Sequence, residues 1–227
     1  MSLRGDAVIA IWQDLVPEAK EDFREWHNRQ HVPERLSIPG FLRARRLVAV
    51  QGGPEFYTLY ELDQIDTATS NGYLNRLNAP TEWTQRIMPK FRNMARSACS
   101  VVFSAGLGDG GFMMTVRVSG VPGLLDTLPL LMRDPGIVSV HWCAADNSAS
   151  GIETKEKAFR SSADLIPEYV AMVEGTSPEN IRDAVARLRL KDADIAIYRL
   201  EHCAAKDDVE TGPEPRGAGL EHARGVS

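Results

Sequence analysis

The sequence is poor in cysteine. Cys99, Cys143 and Cys203 are an odd set of three with no CxxC pair. Reduced thiols in a reducing, cytoplasmic compartment are the simplest reading. Long apolar runs are missing: none approaches the roughly 18 residues of a membrane helix. No basic segment leads into an apolar stretch near Met1, so no signal peptide is expected. Blocks of Lys and Arg are missing too. The formal net charge is −5 over 227 residues, which argues against a nucleic-acid partner. Residues 106–111 are glycine-rich but do not run from a buried strand into a helix, so no phosphate loop or nucleotide signature is present.

What remains is an ordinary globular composition, 43% hydrophobic and 25% charged. A chain of this size can bury a core without disulfides or structural metal. The short apolar run Ala7–Trp12 suits a buried strand. A helix is expected from Pro17 to His31, and a breaker at Ile38-Pro39-Gly40 precedes a strand from Phe41 to Val50. After the turn signal Gln51-Gly52-Gly53-Pro54, Phe56–Leu62 reads as a strand. Thr67–Met94 reads as mostly helical and Ala98–Phe103 as a closing strand.

The same order then repeats. Strands are expected at Phe112–Val118, Ile137–Ala144, Tyr169–Glu174 and Asp194–Leu200, with helices at Pro122–Arg133 and from Pro178. Ile38-Pro39-Gly40-Phe41 lines up with Asp134-Pro135-Gly136-Ile137 at an offset of 96, and the closing strands share that offset. The chain is therefore read as α+β, with two ferredoxin-like βαββαβ repeats whose bare sheet faces cover each other. The halves are placed at residues 1–106 and 107–204, with 205–227 as a disordered tail rich in charge, Gly and Pro.

The first half looks specialised. It carries extra residues around His27–Arg35 and around Pro80–Thr84, whereas the second half has a long loop, Asn147–Ile166, of the kind that serves as a lid or binding loop. His27 and His31 are four apart and share a helix face, and Glu34 lies seven from His27. Pro33 disturbs that stripe, because a residue before proline resists helical geometry. With Trp26 adjacent, two imidazoles and a carboxylate make a candidate acid–base site; two histidines bordering a core or capping carbonyls are the alternative. A metal site is not expected, since Asn28 follows His27 where a metalloprotease motif has Glu and no third ligand is evident. On the strand after the breaker, alternation puts Arg43 and Arg45 on one face with Phe41, and Arg46 on the other. An inward Arg could pair with a ligand anion; an ion pair with Glu61 is the competing reading. Trp83 and Tyr73 are pocket wall or core.

The segment Glu25-Trp26-His27-Asn28-Arg29-Gln30-His31-Val32-Pro33-Glu34-Arg35, with Ile38-Pro39-Gly40-Phe41 and Arg45-Arg46, resembles EthD-like members of the dimeric α+β barrel superfamily. Tyr60-Glu61-Leu62 and Pro80-Thr81-Glu82-Trp83-Thr84 add to the likeness, which covers roughly residues 6–104. The resemblance implies two halves forming such a barrel inside one chain, so a homodimer is optional. It also implies one of several chemistries: cofactor-free oxygenation of aromatic compounds, lactone isomerisation, haem binding or haem degradation. The expectation carried forward is a small-molecule protein without an organic cofactor. His31, His27 and Glu34 would be the acid–base groups. Trp26, Phe41, Arg43, Arg46 and Trp83 would line the ligand. A non-catalytic binding protein and a haem protein ligated by His31 or His27 are the rivals.

Overall fold

A computed structural model describes residues 2–120, 124–160, 164–188, 190 and 193–210. The first half runs β1 (Ala7–Leu15), α1 (Lys20–Trp26), a π turn (His27–His31), α2 (Val32–Leu36), β2 (Phe41–Gln51), β3 (Phe56–Leu62), α3 (Asn71–Leu77), α4 (Glu82–Ile87) and β4 (Phe91–Gly106). The second runs β5 (Phe112–Val118), α5 (Leu124–Leu131), β6 (Ile137–Ala145), α6 (Asn147–Ser150), α7 (Lys155–Ala158), β7 (Tyr169–Gly175), α8 (Pro178–Leu188) and β8 (Asp194–Ala205), with α9 (Lys206–Glu210) after it.

Each half forms a sheet in the order β4-β1-β3-β2 or β8-β5-β7-β6. The edges then join: β2 pairs with β8 and β4 with β6, all antiparallel, and the eight strands close into a barrel. Closure removes every sheet edge. Side-chain alternation sorts the core into layers. Val8, Ala10 and Trp12 of β1 point inside with Tyr57, Cys99, Cys143, Met172 and Tyr198. Ala7 and Ile9 point out, under the first half's helices, with Tyr60, Leu62 and Phe41. Gly106 ends β4 at φ +118, where a Cβ would sit 2.3 Å from the Val138 carbonyl oxygen; only glycine fits this seam.

Three expectations change. A bulge between Phe41 and Arg43 moves Phe41 to the helix side with Ala44, so it does not share a face with Arg43 and Arg45. Residues 91–94 are strand rather than helix, because β4 runs down to Phe91 and pairs with Leu15. The first residues of the expected tail are ordered: Ala205 ends β8 and Lys206–Glu210 are helical, and residues 211–227 lie outside the described residues.

One end of the barrel interior is ionic. Arg43 pairs with Glu61 at 2.8 Å and Asp109 at 2.6 Å, and donates to the Ser2 carbonyl. Arg45 pairs with Glu61 at 3.0 Å and with Glu174 of the other half at 3.0 Å. Arg43 is thus an internal ion-pair residue and not a ligand contact. Burial alone would raise the Glu174 carboxyl. The His141 ring, Arg45 and the Gly110 N–H outweigh it and hold that carboxyl down at about 2. Removing the carboxylate shared by both arginines, Glu61→Ala, should cost about 3–5 kcal/mol of unfolding free energy in a denaturant titration; a loss under about 1 kcal/mol would show that the cluster does not support the barrel.

Candidate functional site

The site is built on the helix that packs over β1 and β3 of the first half. Phe23, Trp26, His27 and His31 face the sheet and are buried. The helix does not stop at Pro33. Val32 keeps helical angles (φ −62, ψ −50), and its N–H donates to the His27 carbonyl five residues back. This π turn sits directly before Pro33, which has no N–H to return to the preceding turn. The widened turn lets the chain pass the proline and still holds His27 and His31 together, with ring centroids 5.7 Å apart.

His27 is fixed in one tautomer. Arg46 Nη1 lies 3.1 Å from Nδ1, and a guanidinium only donates, so Nδ1 accepts. In the neutral ring the proton is then on Nε2, which faces the Tyr60 hydroxyl at 3.5 Å. Arg46 is itself held by Glu201 at 2.7 Å and by Asn28 Oδ1 at 2.8 Å. His31 stacks on Trp26, 4.2 Å between ring centroids, and its buried Nδ1 has no hydrogen-bond partner. Burial, and then the charges of nearby arginines, push both imidazoles well below the usual histidine range: Arg46 is the main charge on His27, and Arg35 on His31. Both rings are neutral at pH 7. Burial also raises the Tyr60 hydroxyl, so it stays protonated.

The rest of the wall comes from the other half. The segment after β6 crosses onto the first half: Asp146 N–H donates to the Ala98 carbonyl, Lys155 N–H to Asn78 Oδ1, and Leu165 N–H to the Met94 carbonyl. It delivers Glu156 to Arg35 at 2.5 Å, a pair in which both side chains are buried. Burial disfavours the Arg35 charge, but Glu156 outweighs it and raises the guanidinium above its ordinary value. Arg160 and Asp164 form a second pair beside it.

Two adjoining cavities result, each with about 30 Å³ of open space, room for a small number of water-sized groups. They share Ile11, His31, Tyr60, Glu156 and Arg160. The polar atoms in their walls are unusual. His31 Nδ1, Arg35 Nη1, Arg160 Nε, Asp164 Oδ1, Gln13 Oε1 and Thr58 Oγ1 are all buried without a hydrogen-bond partner. Leaving such groups unpaired costs about 1–3 kcal/mol each. A cluster of them around one space marks a place shaped for something that pairs with them. Among the described residues no set of three or more His, Cys, Asp or Glu side chains could hold a metal ion.

Of the residues expected from sequence, His27, His31 and Trp26 line this space, and Arg46 reaches it through His27. Four do not. Glu34 turns away to Gln30 and Arg76, because the widened turn and α2 carry it off the histidine face. Trp83 packs on α1 and donates to Asp22 at 2.8 Å. Phe41 is buried against Tyr60 and Tyr73 behind the wall, and Arg43 is inside the barrel. The carboxylate beside the arginine is Glu156, more than a hundred residues away. Tyr60 and Thr58 could have been found from the alternation of β3, and Arg35 from its place four residues after His31. Glu156, Arg160 and Asp164 lie in the Asn147–Ile166 loop read from the sequence as a lid or binding loop, but nothing local singles out these three residues.

No family model matches this sequence, and no curated protein does. Its structure is similar to that of an anthrone oxidase-like protein, with a TM-score of 0.57 at 12% identity over 89% of this chain and 94% of that one. It is similar to a candidate monooxygenase from Fusobacterium nucleatum subsp. nucleatum, at 0.56 and 6% over 90% and 96%. A candidate chlorite dismutase follows at 0.53 and 11% over 92% and 99%. At such identities the likeness establishes the fold: the chain is a dimeric α+β barrel with both halves in one polypeptide.

The buried imidazoles set a pH dependence. Their folded pKa values lie below the unfolded value of about 6.5, so the unfolded chain binds more protons in between. Their contribution to stability is full above about pH 6.5 and is lost as pH falls from there toward the depressed folded values. Melting temperature should therefore fall below pH 6.5, and the slope should flatten in His27→Gln/His31→Gln; an unchanged slope would show that these rings are not the groups responsible.

Proposed function

We propose that the protein is a small-molecule enzyme that needs no organic cofactor, of oxygenase or isomerase type, acting on an aromatic or lactone-like metabolite in the cytoplasm. The observation that carries this reading is the neutral His31 ring, with Nδ1 unpaired in the wall of a cavity whose other buried polar atoms are also unpaired. The His31 lone pair is free at pH 7 and can take a proton, and an anion forming beside it offsets the burial and the Arg35 charge that otherwise disfavour the imidazolium. Removing one from a hydroxyl, or from carbon beside a carbonyl, leaves a phenolate or enolate. Isomerisation and cofactor-free oxygenation both begin from such an anion. In this mechanism His31 is the base. His27, with Nδ1 held by Arg46, offers its Nε2–H toward the same space as a donor to the developing oxyanion. Trp26 fixes the plane of His31 by stacking. Arg46 is a positioning residue that sets the His27 tautomer.

A haem does not fit these residues. Trp26 packs against the His31 ring, and His27 Nδ1 is already engaged by Arg46. Helices long and apolar enough to cross a membrane are absent from the described residues. The barrel closes within one chain, so a homodimer is not needed for the fold.

Incubating the intact protein with a panel of phenols and lactones, with turnover followed by mass spectrometry, tests the reading. His31→Ala should lower turnover by about a hundredfold or more while ligand binding persists. Turnover unchanged in that variant would overturn the assignment. Binding without turnover of any panel member would favour a carrier.

A further inference from the structure

The chain as a whole is acidic, with a net charge of −5, but the wall of its cavity is not. Arg35, Arg96, Lys157 and Arg160 line one of the two spaces, against Glu156 and Asp164 in the same wall and Glu153, which pairs with Lys157 at 2.6 Å, an excess of one cation. The imidazoles add no charge. Arg35 and Arg160 are side chains only 3% and 9% exposed. Each guanidinium gives one nitrogen to a carboxylate, Arg35 Nη2 to Glu156 and Arg160 Nη1 to Asp164. Each leaves another nitrogen, Arg35 Nη1 and Arg160 Nε, buried without an acceptor. Unpaired guanidinium N–H groups in a water-poor space call for an oxyanion. The adjoining space has one apolar side, formed by Ile11, Trp26, Met88, Phe91 and Met94. Methionines there can shift to admit a flat ring.

We infer that the cavity takes a small organic acid with an apolar ring, its carboxylate set between Arg35 and Arg160 and its ring against Trp26, Phe91 and Met88. This names a substrate class and rests on the reading of the cavity as a ligand site. Asp164 Oδ1, the unpaired anionic oxygen in the same wall, opposes the carboxylate, but the two unpaired guanidinium N–H groups of Arg35 and Arg160 outweigh it. The arginine on α2 and the arginine on the crossing segment come from different halves, so the acid would bridge the two halves at this point.

Isothermal titration of the intact protein with benzoate and with benzamide, a flat pair of nearly equal shape that differs in charge, tests this directly. Benzoate should bind at least about tenfold more tightly. Arg160→Gln should weaken benzoate about tenfold and leave benzamide unchanged, and Arg160→Lys should recover part of the loss. The comparison of the two ligands on the unaltered chain stands even where a variant folds poorly. Equal affinity for the pair, benzoate binding that survives Arg160→Gln in a folded variant, or no benzoate binding would overturn the inference. If benzoate fails while neutral 1-naphthol binds and shifts the His31 ring-nitrogen NMR signals, the acid class is wrong and the site reading holds. If neither binds, both fall.

Discussion

Everything in this molecule depends on two half-sheets having one bare face each. A ferredoxin-like half covers one side of its sheet with helices and leaves the other to a partner. Here the partner is the next hundred residues of the same chain, and the pairs β2·β8 and β4·β6 turn two open sheets into a barrel. The consequence for function is geometric. Because β6 lies against β4, the segment leaving β6 emerges beside the first half and can lie across its helix face. Glu156, Arg160 and Asp164 reach the histidines only through that seam.

The two halves share a plan but not a use. In the second, Leu124, Leu128, Leu131, Trp142 and Ile181 fill the space between helices and sheet. In the first, the corresponding layer holds two imidazoles, two buried ion pairs and a set of unpaired polar atoms. Such groups weaken a core unless something pairs with them. In the barrel interior the buried charges face one another: Arg43 and Arg45 reach Glu61, Asp109 and Glu174, although Arg45 Nε and Nη2 make no hydrogen bond there. What separates site from scaffold in this chain is that the unpaired atoms of the first half line an open space beside the histidines.

Much of the scaffold could be read in the sequence. Apolar runs of strand length, the breakers at Pro39-Gly40 and Pro135-Gly136 and the common offset led to both repeats and to their mutual cover. The histidine pair was legible because four-residue spacing survives the π turn. The failures were local irregularities and long-range contacts. Strict alternation misplaced Phe41, since one bulge reverses the faces that follow. Helical spacing assigned Glu34 to the histidine face, and the widened turn took it elsewhere. Glu156 could not be found from any pattern near the histidines, because its pairing with Arg35 comes from barrel closure and not from spacing.

The account stands most directly on the state of His31. Nitrogen-detected NMR of the intact, ligand-free protein, labelled on histidine, reports protonation ring by ring. The account predicts that His31 stays neutral from pH 8 down to well below the usual histidine midpoint near 6.5, and that His27 is neutral with its proton on Nε2. A His31 ring that titrates near 6.5, as one open to water would, contradicts a buried, unpartnered base and with it the proposed chemistry.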